Sequence, residues 1–117
     1  MTTETGKAQI IKASDIAPAI RVELLSGPMD GTEIDLSKTV VTIGREKDQD
    51  VSIPMDTLLS RAHAEISFED GEFWIEDMGS RNGTFIEEKR ISARTPIGPL
   101  KVFRVGATEL RITLLGK

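Results

Sequence analysis

Apolar residues in this chain recur at every second position, in short runs separated by turn-forming residues. Ile20, Val22 and Leu24 alternate with Arg21 and Glu23, the mark of a strand buried on one face. A turn cluster follows at Gly27-Pro28-Met29-Asp30-Gly31, then Ile34 and Leu36 mark a second strand. Thr39 to Ile43 is β-branched throughout and stops at Gly44, and Val51 with Ile53 makes a brief strand closed by Pro54. Ala64, Ile66 and Phe68 alternate with Glu65 and Ser67; Asp70-Gly71 predicts a hairpin into Phe73 and Ile75, with Trp74 on the opposite face. Phe85-Ile86, then Phe103 with Val105, then Leu110, Ile112 and Leu114 beyond the Gly106-Ala107 turn complete the set. No stretch sustains a helical period. Short strands at near-regular spacing predict an all-β fold, an antiparallel β-sandwich or barrel.

Residues 1–18 lack this periodicity and end at Pro18, and Ile10-Ile11 is too short to form a core element by itself. The reading is a flexible tail over 1–18 ahead of one domain at 19–117.

Polar residues cluster where the strand-like runs begin or end: Gly44-Arg45, Ser60-Arg61-Ala62-His63, and Gly79-Ser80-Arg81-Asn82-Gly83-Thr84. The Arg45 guanidinium offers a planar fork to phosphate oxygens. Ser60 and Arg61, side by side, can donate several hydrogen bonds to one anion. Asn82-Gly83 tolerates positive φ, and the Asn82 amide can both donate to and accept from a peptide main chain. Taken singly, each has an ordinary role: Arg45 as a surface ion pair, Ser60 as a turn cap, Asn82 as a turn former. Converging from separate loops, they make a cradle for a phosphate and a peptide backbone.

Charge narrows the partner. The net charge is −4, from 15 basic and 19 acidic residues well interspersed, which leaves no basic track for nucleic acid. Four Phe and one Trp are too few for a base-stacking platform. Without cysteine there is no disulfide or thiolate metal site, which fits a reducing compartment. No apolar run approaches the roughly 18 residues of a membrane span, and no signal-peptide pattern opens the chain. The expectation is a cytoplasmic protein with no membrane or nucleic-acid partner. His63 is the single histidine, so a metal site lacks ligands, and no cofactor motif occurs. Ser60 with His63 as a small hydrolase is a rival reading, but no convincing catalytic set is present, and the protein is read as a non-enzyme.

The motifs resemble those of the forkhead-associated (FHA) domain, in order and spacing, from about Ile20 to Leu115. They are Val41-Thr42-Ile43-Gly44-Arg45, Asp50-Val51-Ser52-Ile53, Ser60-Arg61-Ala62-His63-Ala64-Glu65-Ile66, and Asp77-Met78-Gly79-Ser80-Arg81-Asn82-Gly83-Thr84-Phe85-Ile86. The resemblance implies two packed β-sheets with the binding loops at one end. It implies a phosphothreonine-dependent peptide-binding module of Ser/Thr kinase signalling. In that pattern Arg45 and Ser60 hold the phosphate, Arg61 touches the phosphate or the adjoining peptide, and Asn82 pairs with the peptide backbone. Gly44, His63 and Gly83 are scaffold, while Arg81 and Thr84 are further candidates for peptide contact. A phospho-independent FHA-like scaffold is the alternative. Two turns depart from the family: Leu100-Lys101 stands where Gly-Asp is usual, and Glu87-Glu88-Lys89-Arg90 where Asn-Gly is common. Thr2, Thr3 and Thr5 are candidate phosphorylation sites, through which the tail could occupy its own loops.

Overall fold

A computed structural model describes residues 16–116. The first fifteen residues of the expected tail, with Thr2, Thr3 and Thr5, lie outside the described residues.

Eleven strands form two stacked sheets: β1 (Ile20–Leu24), β2 (Glu33–Leu36), β3 (Val40–Gly44), β4 (Val51–Ser52), β5 (Ala64–Glu69), β6 (Glu72–Asp77), β7 (Thr84–Ile86), β8 (Lys89–Arg90), β9 (Thr95–Pro96), β10 (Phe103–Val105) and β11 (Thr108–Leu114). One sheet runs β2-β1-β11-β10-β7-β8, the other β4-β3-β5-β6-β9. The period of two is what builds them. In β1, Ile20, Val22 and Leu24 are buried while Arg21 and Glu23 face outward, and β11 repeats this with Thr108, Leu110 and Ile112. Facing residues from both sheets, among them Ile43, Ile66, Ile75, Phe103 and Val105, fill one continuous core. Outward charges pair across strands: Arg21 with Asp35 at 2.8 Å and Arg111 with Glu23 at 2.6 Å.

The all-antiparallel expectation needs one amendment. β4 pairs with β3 in parallel, Ile43 opposite Val51, and its ladder stops at Ser52 with Ile53 buried beyond it. Asp50 sets this up, its carboxylate accepting from Thr42 N at 2.9 Å and from Thr42 Oγ1 at 3.2 Å.

The register separates two ends. Ile20 lies opposite Leu114, so the chain enters β1 where β11 leaves. The β5–β6 turn and the segment around Ile97 and Leu100 close this end, through Ile97 N to Phe73 O and Leu100 N to Ile112 O. The loops after β3, before β5 and after β6 gather at the other end.

Candidate functional site

Three loops meet at that second end and are laced together by hydrogen bonds. Gly44 closes β3 where a Cβ would stand 2.1 Å from the Arg61 carbonyl oxygen, so only glycine lets the two backbones approach. Arg45 N–H then donates to Ser60 O at 3.0 Å, and Glu46 N–H to Arg61 O at 3.3 Å. Arg45 Nε donates to Leu59 O at 3.0 Å, which aims the guanidinium. Its Nη groups take no partner among the described residues.

Beneath Ser60 sits His63, fully buried. Its Nδ1 accepts from Ser60 N–H at 3.0 Å, so the ring proton sits on Nε2, which donates to Gly83 O at 2.9 Å. Burial holds the imidazole below its ordinary pKa of 6.5, against the pull of the Gly83 bond and Asp77. One neutral ring therefore joins the second loop to the third. Both nitrogens are committed to main-chain groups, and Ser60 Oγ accepts from Arg81 N–H at 3.0 Å. The rival Ser60–His63 hydrolytic pair has no such hydrogen bond here.

The third loop is shaped by Asp77. Its carboxylate accepts from Gly79 N (3.1 Å), Ser80 N (2.9 Å), Ser80 Oγ (2.5 Å) and Thr84 Oγ1 (2.7 Å). Burial pushes this carboxyl up, but the bonds from Ser80 and Thr84 outweigh it and hold it below its ordinary value. Ser80 Oγ in turn accepts from Gly83 N–H at 2.8 Å, and Asn82 Nδ2 crosses to Leu58 O at 2.8 Å.

The result is a cleft of about 260 Å³ lined by Arg45, Ser60, Arg61, Arg81 and Asn82, with Leu58 and Leu59 beside them. Elsewhere Arg21, Arg94 and Arg111 are matched by carboxylates, while Arg104 stacks on Phe85 and Arg90 lies against Gly83. Arg45, Arg61 and Arg81 form no salt bridge among the described residues. Among the described residues, a chain of net charge −4 thus gathers three cations without a carboxylate partner around one serine hydroxyl. Such an arrangement has the chemistry to hold an anion.

Residues 41–106 match the FHA domain family. The chain belongs to that family. It is 36% identical over 88 residues to the FHA domain-containing protein FhaB of Mycobacterium tuberculosis, covering 73% of this chain and 56% of FhaB, so it spans about half of that relative's length. The FHA domain of CT664 from Chlamydia trachomatis superposes with a TM-score of 0.74 at 26% identity, covering 81% of this chain and 96% of that one. A structure from a study of phosphothreonine-dependent FHA domain interactions gives 0.72 at 25% identity, covering 85% and 99%. The FHA domain is a protein-interaction module.

Within this FHA domain, the structure brings together Arg45, Ser60, Arg61, Arg81 and Asn82. Gly44, His63 and Gly83 lie at the joints between loops. Thr84 departs from the expected peptide contact. It is fully buried and its hydroxyl is engaged by Asp77, so it lies beneath the cleft. Sequence reasoning passes over three supports. Asp77 and Ser80 carry a signal, since an Asp ahead of Gly-Ser favours a side-chain-capped turn. Asp56 carries none. It is buried, and reaches Ala107 N at 2.9 Å and Thr108 Oγ1 at 2.7 Å, tying the 53–60 loop to a hairpin some fifty residues away. Arg90, expected in a turn, lies instead in β8 with its side chain against Gly83. A Cβ at Gly83, whose φ is +89°, would come 2.6 Å from Arg90 Nε.

Proposed function

We propose that this FHA domain binds phosphothreonine-containing segments of partner proteins in Ser/Thr kinase signalling, in the cytoplasm, without catalysis. The observation that carries the reading is the trio of arginines around Ser60, none of them in a salt bridge among the described residues. Arg45, oriented through Nε, presents its Nη groups to the phosphate. Ser60 Oγ, already accepting from Arg81 N–H, has its own proton free to donate. Arg61 and Arg81 flank the phosphate and the adjoining peptide. The Asn82 amide keeps one N–H and its carbonyl oxygen for the peptide backbone, and the exposed Leu58 side chain offers the threonine methyl an apolar contact worth ~1 kcal/mol. Charge-assisted bonds of roughly 1.5–3 kcal/mol each, less ordering costs, give an affinity on the order of micromolar.

Titration calorimetry with matched phosphothreonine, phosphoserine and plain peptides tests this. The phosphothreonine form binds at least about tenfold tighter than the plain form, a floor of ~1.4 kcal/mol that a single charge-assisted bond already reaches. Equal affinities sink the reading and favour a phospho-independent scaffold. Turnover of generic esters or phosphoesters would restore the hydrolase.

The tail is part of the same proposal. Phosphorylated at Thr2, Thr3 or Thr5, it acts as an intramolecular ligand. The chain enters β1 at the end opposite the cleft, so the tail must run the length of the sandwich, about 23 Å for seven residues of strand. From Thr5 to Pro18 the random-coil reach is roughly 20 Å, and the extended reach about twice that. Phosphorylation at each threonine in turn, followed by binding of an external phosphopeptide, decides it. Undiminished external affinity in every form rules the tail out as a switch.

A further inference from the structure

At the end opposite the cleft lies an apolar groove of about 360 Å³, its walls including Pro18, Phe68, Phe73, Pro96, Pro99 and Leu114. Leu114 is 50% exposed, and Leu100 at the same end is 62% exposed. A groove of this size, with the exposed Leu114 in its wall, has the dimensions and apolar lining of a binding surface.

We propose that the occupant is the N-terminal segment of this same chain, with Ile10 and Ile11 seated in the groove between Pro18, Phe73 and Leu114. Three observations converge. First, the groove stands where the chain enters the fold, because Pro18 is part of its wall. Ile11 precedes Pro18 by seven residues, at most about 25 Å of chain, so the segment meets the groove at an effective concentration in the millimolar range. Second, Ile10-Ile11 is the sole pair of adjacent large apolar side chains in residues 1–15. Third, the charges match. Lys7 and Lys12 flank the isoleucine pair. On the β5–β6 turn, Asp70 sits beside Glu72, which lines the groove, and neither forms a salt bridge among the described residues.

Docking there competes with the use of Thr5 as a ligand for the chain's own cleft, a consequence that rests on the phosphothreonine reading. With Ile10 held at the far end, Thr5 has five residues of free chain, about 17 Å, and falls short of the sandwich's length of about 23 Å, while Thr3 and Thr2, about 24 and 27 Å away when fully extended, span it with almost no slack. A docked tail therefore withholds Thr5 from its own cleft and leaves it to other molecules, so self-binding through Thr5 requires the groove to be vacated.

The docking itself needs no phosphate, and its test stands apart from the binding reading. The chain has no cysteine, so Ala8→Cys in the full chain takes a single nitroxide label. With unphosphorylated protein and no peptide, the amide signals of Phe73, Ile97 and Leu114 should lose most of their intensity, while those of Ser60 and Asn82 keep theirs. Adding Ile10→Asp and Ile11→Asp should restore the lost signals. Broadening spread evenly over the surface, or unchanged by those substitutions, overturns the proposal. So does broadening of unlabelled protein mixed with labelled protein, which makes the occupant a second copy.

Discussion

The two ends of this sandwich are built by different means. At the cleft end, side chains reach across the sequence to hold the loops: Asp56 to Thr108, His63 to Gly83, Asn82 to Leu58. Toward the other end, main-chain closure does most of the holding, beside surface pairs such as Arg94 with Glu69. Glu87 and Glu88 turn β7 into β8 with φ of 49° and 69°, and Leu100 has φ of 70°. These are left-handed values that glycine or asparagine adopts at less cost. The family resemblance would put Asn-Gly at the first turn and Gly near the second. One ion pair, Lys101 with Glu87 at 3.3 Å, spans the two turns and contributes little at the surface. Side-chain identity therefore sets geometry at the cleft end, whereas hairpin closure overrides it at the other. Substitutions should accordingly act on different observables at the two ends.

The sharpest way to break this contrast is at Arg45. Arg45→Ala should weaken phosphopeptide binding at least about 100-fold, the loss of two charge-assisted bonds, while the melting temperature stays put. Unchanged affinity in calorimetry would move the site elsewhere. His63→Ala should act on stability first. It orphans Ser60 N–H and Gly83 O in the interior and leaves a cavity, a cost of about 3 kcal/mol by denaturant unfolding. A His63→Ala protein as stable as the parent contradicts the joint seen between the loops.

The pH dependence belongs to the same histidine. Its native pKa lies below the unfolded value of 6.5, because burial disfavours the imidazolium. The unfolded chain therefore takes up the proton first as pH falls. The contribution is complete above about pH 6.5 and is lost progressively from there down to the native pKa, with a slope of at most ~1.4 kcal/mol per unit. His63→Gln should flatten that limb of a stability–pH curve. Asp77, Asp50 and Glu23 have lowered pKa values, so their contributions persist above the unfolded carboxylate range and fall away only in more acidic solution.

The smallest effect is expected at the other end. Glu87→Asn with Glu88→Gly relieves left-handed strain and should stabilise the fold by about 1 kcal/mol, leaving phosphopeptide affinity unchanged. A change in affinity would show that the two ends are coupled.

Much of the fold and of the cleft is legible in the order of residues along the chain. Alternation along Ile20–Leu24, Ala64–Phe68 and Leu110–Leu114 predicts strands because a half-buried sheet needs a period of two, and each of these runs is a strand. Arg45, Ser60, Arg61 and Asn82 are readable as a group because their loops interrupt that pattern at fixed spacing. The two-residue strands β8 and β9 are not legible, being too short to alternate and, in β9, containing Pro96. The parallel β3–β4 pair is equally hidden, since a period of two says nothing of strand direction. Thr84 shows the limit most plainly: beside Asn82-Gly83 it reads as a contact residue, and only the fold turns its hydroxyl inward to Asp77. The amino-acid sequence alone determined the strands, the apolar face of each and the chemistry available to the loops, because these depend on neighbours along the chain. Tertiary structure alone decided which polar groups became framework and which stayed free for a ligand. That choice depends on partners such as Thr108 for Asp56 and Gly83 for His63, which come within hydrogen-bond reach only when the two sheets close.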